Sequence, residues 1–164
     1  MPGVRVKVKG GDKLNAKLRK LAAIKAQTRI GFFEKAKYPD GTSVAYVAYL
    51  NEYGGHNPPR PFLKRTFTKN IKNWVKGIRA NLGSGLSQAK VRRAYEMAGL
   101  KAVGDVKRTI KDWNPNDPYP NDNKTIAAKR RRARGGRGLK PINPDTVLID
   151  TGRMIASVNY EVKT

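Results

Sequence analysis

Apolar side chains recur at helical spacing in three long stretches of the chain. Apolar residues three and four positions apart, with three tyrosines among them, predict a first helix over residues 44–53. A continuous apolar face predicts a second helix over about residues 61–81, and another predicts a third over about residues 87–112. Ser43 and Ser87 stand before the first and third of these helices, where a side-chain hydroxyl can cap the first turn.

Shorter stretches favour strands. Valine alternates with arginine and lysine over residues 4–9, and a similar alternation covers residues 158–162. Residues 28–33 are a further predicted strand, and residues 147–150 are a fourth, shorter candidate. These elements predict an α+β fold in one domain over residues 1–164, in which a small, mostly antiparallel sheet of three or four strands packs against two long helices.

A stiff joint separates the first two predicted helices. Gly54 and Gly55 end the first helix, because glycine tolerates the left-handed conformation that helix ends often need. Pro58, Pro59 and Pro61 then hold the backbone extended until the second helix begins, where a proline in the first turn loses no hydrogen bond. This stiffness indicates that the angle between the two helices matters to the function.

Arg60 lies between two of these prolines and is therefore held in place by its neighbours. A pre-ordered guanidinium loses less entropy on pairing, which suits a salt bridge to a second subunit. The alternative is an internal salt bridge to Glu52 or to another nearby carboxylate. Asn51 and Glu52, at the end of the first helix, are further candidates to cap or brace the joint.

Two blocks of sequence resemble the signatures of a known family. Residues 48–63 read AYLNEYGGHNPPRPFL, and residues 148–162 read LIDTGRMIASVNYEV. In this order they are similar to the N-E-F/Y-G…P-P-R-P-F and closing L-I-D-T-G motifs of tailed-phage neck and tail-completion proteins. Weaker matches at residues 28–33 and at Trp113 extend the resemblance from about residue 28 to the C-terminus. Between Trp113 and Leu148 the chain departs from the family pattern, because this segment is longer and more basic.

The resemblance implies a structural virion protein at the joint between phage head and tail, assembled in the bacterial cytoplasm. It implies a homo-oligomeric ring with six-fold symmetry around the DNA channel. The implied partners are tail-terminator, tail-tube and head-connector proteins, together with genome DNA in the channel. On this interpretation the subunit interface comprises Asn51, Glu52, Pro58, Pro59, Arg60, Pro61, Phe62, Asp150 and Arg153.

The chain is strongly basic, since 35 Lys and Arg against 12 Asp and Glu give a net charge of +23. An excess of this size opposes compaction unless counter-charge is nearby, so we expect a polyanionic partner. Nucleic acid is the first candidate, because neutralising phosphates releases counterions. An acidic protein surface is the second candidate and anionic lipid is the third.

The densest cluster of cations lies in residues 114–145, which we predict to be a basic loop excursion in which a short helix begins near residue 125. Arginine suits phosphate because its planar fork donates two parallel hydrogen bonds. The cluster could contact DNA, dock on an acidic protein or remain a solvated charge run, and these three alternatives stay open. The candidate contact residues are Lys129, Arg130, Arg131, Arg132, Arg134 and Arg137.

Composition leaves little room for catalysis or metal binding. The chain has no cysteine and one histidine, which excludes disulfides and argues against a zinc site. Asp150-Thr151-Gly152 matches the tripeptide of aspartic proteases, but those enzymes need two such carboxylates that share one proton. We therefore interpret Asp150 as the cap of a short helix over residues 151–156, and we expect no enzyme activity, no cofactor and no metal.

A second hypothesis comes from another functional class. The protein could be a free nucleic-acid-binding protein, such as a DNA-packaging or ribosome-associated factor. The net charge supports this hypothesis, but the sequence carries no helix-turn-helix, zinc-finger or RNA-binding signature. No apolar run approaches the roughly 18 residues of a membrane span, so we expect no membrane contact.

Overall fold

The structure is a computed structural model. It describes Ala16, Arg19 and residues 25–55, 57–82, 87–113, 118–134 and 145–163, with the backbone alone described for residues 132–134. The elements in chain order are β1 (Gln27–Gly31), α1 (Val44–Tyr53), α2 (Phe62–Leu82), α3 (Gln88–Lys111), α4 (Asn123–Arg134), α5 (Arg153–Ala156) and β2 (Asn159–Lys163).

Two long antiparallel helices, α2 and α3, form the frame of the molecule. Two polar pairs lie between them. The indole Nε1 of Trp74 donates to Asp105 Oδ2 at 2.8 Å, and the hydroxyls of Thr66 and Thr109 form a hydrogen bond of 2.7 Å. Because buried polar groups are costly unless they are paired, these two contacts also fix how the helices align.

A two-stranded antiparallel ribbon of β1 and β2 lies on α3. Its register places Ile30 opposite Tyr160, and the Thr28 hydroxyl donates to the Tyr95 carbonyl at 3.1 Å. The ring of Tyr160 covers Gly99, where an added Cβ would lie 2.4 Å from Tyr160 Cδ2. The missing side chain at Gly99 therefore lets the strand approach the helix closely. An isolated ribbon of two strands is marginal in water, so its packing on α3 stabilises it.

The hydrophobic core lies at one end of the helix pair. It joins α1, the start of α2, the end of α3, the turn at residues 147–149 and α5. Its buried members are Val44, Ala48, Phe62, Val106, Ile110, Trp113, Val147, Leu148, Ile149, Met154 and Val158. The two sequence blocks of the family resemblance thus meet in one core.

The predicted helices over residues 44–53, 61–81 and 87–112 are confirmed to within one residue at each end. Both predicted caps are confirmed as well, since Ser43 Oγ accepts from the Tyr46 N–H and Ser87 Oγ accepts from the Lys90 N–H. The strands predicted at residues 28–33 and 158–162 are present as β1 and β2, shifted by one or two residues.

The predicted sheet of three or four strands is wrong. Within the described residues the sheet has two strands, and most of the described backbone is helical. Residues 147–150 form a turn that buries three consecutive apolar side chains instead of a strand. Two carbonyls of this turn, those of Thr146 and Ile149, accept from Lys129 and not from a neighbouring strand. The strand predicted over residues 4–9 lies outside the described residues.

The short helix predicted to begin near residue 125, within the basic loop excursion over residues 114–145, is confirmed. Residues 123–134 form α4, a helix of three turns. Asp122 caps it, because its carboxylate accepts from the Thr125 N–H and its carbonyl from the Ile126 N–H. Alanine, lysine and arginine all favour helix, so this segment is helical despite its like charges.

Candidate functional site

A cleft of about 770 Å³ opens beside the proline joint, and we call it the joint cleft. Val47 and Asn51 of α1 line one side together with Asn57, Pro58 and Arg60 of the joint. Residues 120–122, just before α4, also line the cleft, as do residues of α4 up to Arg131 and several residues between 147 and 155. The cleft therefore brings both blocks of the family resemblance next to the basic helix.

Glu52 connects α1 to α2 across the joint. Its Oε2 accepts from the Leu63 N–H and its Oε1 from the Lys64 N–H, both at 2.8 Å, and only 6% of the residue is exposed. The first N–H groups of any helix lack partners within that helix, and the helix dipole favours an anion there. Since α2 has no acidic residue in its own first turn, Glu52 supplies this anion from the preceding helix.

Arg60 is buried at the bottom of the joint, with 6% of the residue exposed. Its Nη2 donates to the Tyr119 carbonyl at 3.0 Å, and its backbone N–H donates to the Asn51 carbonyl at 2.6 Å. The first contact ties the segment that precedes α4 to the joint. Arg60 and Glu52 thus both act inside the chain, where each holds backbone groups of another segment.

Lys129 fixes α4 to the turn at residues 146–149. Its ammonium donates to the Thr146 carbonyl at 2.7 Å and to the Ile149 carbonyl at 2.8 Å. Asn121 adds a longer contact of 3.3 Å from its amide to the same Thr146 carbonyl. This lysine, predicted as a contact to DNA or to an acidic partner, is therefore engaged within the chain.

The rest of the predicted basic cluster is described only in part. Arg130 and Arg131 are exposed, and Arg131 lines the joint cleft. The side chains of Arg132 and Arg134 and the whole of Arg137 lie outside the described residues. Their role as partner contacts stays a prediction.

Asp150 does not cap α5, so that prediction is wrong. The cap position is Gly152, at φ 76°, a left-handed conformation that glycine adopts without strain. The Thr151 hydroxyl oxygen accepts from the Arg153 N–H, while Arg153 Nε donates to the Lys37 carbonyl. Asp150 and Arg153 are both exposed, and Asp150 lines the joint cleft.

The other predicted interface residues differ in exposure. Phe62 is fully buried in the core, Pro58 and Asn51 are half-buried, and Pro59 and Pro61 are exposed. On one chain, only the exposed and half-buried members of this set offer surface to a second copy. Whether they form a subunit interface stays a prediction.

Two groups at the cleft have shifted pKa values. The hydrogen bond from the Thr125 N–H lowers the pKa of the Asp122 carboxyl below its ordinary value. Burial raises the pKa of the Tyr38 phenol, and the charge of Asp150 raises it further. At neutral pH the cleft therefore presents a carboxylate at the start of α4 and a neutral phenol against α1.

Sequence reasoning missed an aromatic surface on α1, which we call the tyrosine face. Tyr46, Tyr49 and Tyr53 are 58%, 58% and 70% exposed, and the rings of Tyr49 and Tyr53 lie 4.9 Å apart. Between Lys37 and Lys64 the sequence holds one Lys or Arg, the buried Arg60. The spacing 46, 49 and 53 was a readable signal for this surface.

A second missed surface runs along α2, and we call it the basic face. This helix contains six Lys or Arg residues and no acidic residue. Five of them recur four, three, four and three positions apart, and all five are exposed. The basic face consists of Arg65, Lys69, Lys72, Lys76 and Arg79.

The cleft offers amide, hydroxyl, carboxylate and cationic groups, which suit the binding of a polar partner. Among the described residues, no group of three or more His, Cys, Asp or Glu side chains could hold a metal ion. The helices in the described part of the chain lack the length and apolar character that crossing a bilayer requires.

Comparison of the chain with protein-family models, with curated proteins and with solved structures finds no match. The resemblance to phage neck proteins therefore depends on the sequence motifs themselves, chiefly the two blocks at residues 48–63 and 148–162.

Proposed function

We propose that this protein is a structural ring subunit of a tailed-phage neck, which completes the tail and joins it to the head connector around the DNA channel. The observation that supports this role most directly is the joint cleft. There, two blocks that lie about 85 residues apart in sequence, and that carry the family resemblance, come together around one braced joint.

In this role the protein binds its partners and catalyses no reaction. Glu52, Arg60 and Lys129 each hold backbone groups of a second segment, so that α1, α2, α4 and the turn at residues 146–149 form one rigid unit. A subunit of fixed shape gives the same contact angle in every copy. Head-to-tail contacts with a constant angle can close into a ring.

Copies that each carry +23 repel one another, so the contact between them is best placed where charge is low. The tyrosine face meets this condition, because its helix carries no cation and its one carboxylate, Glu52, is buried. Tyrosine is also enriched in protein interfaces, since its ring buries a large area with little loss of side-chain entropy. We assign this face to the contact between copies.

Particles assembled with and without this protein test the proposed function. We expect heads and tails to accumulate unjoined when the protein is missing, and purified protein to restore joining. Intact, infectious particles assembled in its absence would refute the role.

The second candidate is a free nucleic-acid-binding protein, and the basic face of α2 is the observation that favours it. This alternative would be supported by a monomer that binds duplex DNA tightly, with an affinity that rises steeply as salt falls. Such a monomer would associate neither with itself nor with head and tail proteins.

A further inference from the structure

The five cations of the basic face follow one line on the surface of α2. Buried residues Phe62, Thr66 and Trp74 mark the side of α2 that faces α3 and the core, and the cations occupy a separate, exposed side. From Lys69 to Arg79 the line extends over about 15 Å, at 1.5 Å per residue. At its start, the Arg65 guanidinium lies 5.2 Å from the centre of the Trp113 ring, which holds that end against the core.

Four of the five cations have no carboxylate partner among the described residues. Lys69, Lys72, Lys76 and Arg79 take part in no ion pair within the described part of the chain. The two carboxylates of the adjacent helix α3 are already engaged. Glu96 pairs with Arg92, while Asp105 accepts from Trp74 and lies 3.3 Å from Arg108.

From this geometry we propose that the basic face of α2 binds the phosphate backbone of duplex DNA. Duplex DNA is a regular line of charge, with about one negative charge per 1.7 Å, so 15 Å of duplex carries about nine phosphates. A helix with a cation at each turn can follow such a line.

The composition of the face distinguishes duplex from single-stranded nucleic acid. Proteins that hold single strands place aromatic rings among the cations, because the bases stack on those rings. The tyrosine face and the basic face lie on different helices. Trp74, the one aromatic residue between Lys69 and Arg79 in sequence, is buried, so no exposed ring lies among these cations. Contacts with phosphates alone position the DNA without reading its sequence. A channel through which the whole genome passes requires contacts of this kind, because every sequence along the DNA must pass through it.

This inference deepens the proposed function, since it assigns a surface to the DNA that a neck ring would enclose. It also relocates the contact, because the cation cluster at residues 129–137 is partly engaged inside the chain through Lys129. The face would then hold DNA loosely and independently of sequence.

Two charge-matched variants of the full chain test the inference by fluorescence anisotropy with a short labelled duplex. The first carries Lys69→Gln, Lys72→Gln and Lys76→Gln on the basic face. The control carries Lys90→Gln, Arg93→Gln and Lys101→Gln on α3, three exposed cations outside the ion pairs of the described residues. Each variant lowers the net charge by the same amount, so a general effect of charge cancels in the comparison.

We expect the basic-face variant to bind duplex at least tenfold more weakly at about 100 mM salt. Its slope of log K against log salt should be smaller in magnitude by up to about 2.7, or roughly 0.9 for each lost phosphate contact. The control variant should stay within about twofold of the unmodified protein, with the same slope. Equal losses in both variants, or none in the first, would overturn the inference.

Two further measurements separate this inference from its alternatives. An acidic polypeptide, poly-glutamate, should bind the unmodified protein at least tenfold more weakly than duplex DNA does. If poly-glutamate and duplex bind with equal affinity, and both lose the same affinity in the basic-face variant, DNA is rejected as the specific partner of this face. Ring formation of the basic-face variant should be unchanged in sedimentation. If the protein forms rings but its affinity for duplex is unchanged in the basic-face variant, the inference fails and the proposed function stands. If the unmodified protein forms no ring, the proposed function fails.

Discussion

The carboxylate of Glu52, near the end of α1, accepts a 2.8 Å hydrogen bond from the backbone N–H of Leu63 in the first turn of α2. Its second oxygen accepts from the next N–H, that of Lys64. One buried anion thus holds the end of one helix against the start of another, across Pro58, Pro59 and Pro61. The angle of the joint is fixed by this contact as much as by the prolines.

Replacing Glu52 with glutamine should destabilise the protein by about 1–3 kcal/mol, because one buried N–H loses its acceptor and the helix dipole loses its anion. Urea unfolding monitored by circular dichroism measures the change. Glu96→Gln is the matched control, since Glu96 forms a partly exposed pair with Arg92 and should cost no more than about 0.5 kcal/mol. Equal effects of the two substitutions would show that Glu52 does not brace the joint.

Two glycines on α3 should respond in opposite directions to alanine. Gly99→Ala places a Cβ against the Tyr160 ring and should cost about 1–3 kcal/mol, since strand or ring must shift. Gly104→Ala meets nothing within 4 Å and should stabilise the helix by up to about 1 kcal/mol. Thermal unfolding of both variants tests the packing of the ribbon on α3. A neutral or stabilising Gly99→Ala would contradict that packing.

Removing the Lys129 ammonium should loosen α4 from the joint cleft. Lys129→Met keeps much of the side-chain length but loses the hydrogen bonds to the Thr146 and Ile149 carbonyls. We expect amide hydrogen exchange in residues 123–131 to speed up about tenfold or more, with little change in α3. Arg130→Met, at an exposed neighbouring position, is the control and should leave exchange unchanged. Identical exchange in the two variants would mean that Lys129 does not hold the helix.

The tyrosine face should govern self-association. Tyr49→Ser combined with Tyr53→Ser should weaken association at least tenfold in analytical ultracentrifugation, because the exposed rings supply uncharged contact area. Leu100→Ser on α3, with a side chain of similar exposure (56%), is the control and should leave association unchanged. An effect of Leu100→Ser as large as that of the tyrosine pair would place the contact elsewhere.

Salt gives an independent check on the same contact. Raising salt from about 0.1 to 1 M shortens the range of electrostatic repulsion from roughly 10 to 3 Å, so association of like-charged copies should strengthen. Duplex binding should weaken over the same range, because each counterion gains less entropy when it is released into a saltier solution. Self-association that weakens with salt would indicate that opposite charges, and not tyrosines, hold the copies together.

The parts of the fold that sequence predicts well are local ones. Helix lengths and the caps Ser43 and Ser87 follow from spacing and from neighbours a few residues away. The failures concern partners far away in sequence. Lys129 stands in a run of similar cations, and only the folded turn at residues 146–149 explains why this one is engaged within the chain.

The candidate site shows the same division. The proline joint is visible in the sequence, and Glu52 was a candidate to brace it, but its contacts with the start of α2 appear only when the joint closes. The number of strands in the sheet was overestimated, because the apolar run from Val147 to Ile149 suits a buried strand as well as a buried turn. Periodicity alone does not distinguish the two.

The mass of the purified protein in solution tests the central claim most directly. Light scattering at high protein concentration and about 1 M salt, where repulsion between copies is screened, should give a closed ring of about six copies of the 18.2 kDa chain. Electron micrographs of the same sample should show rings with an open centre. A single 18.2 kDa species at every salt and protein concentration would contradict the account.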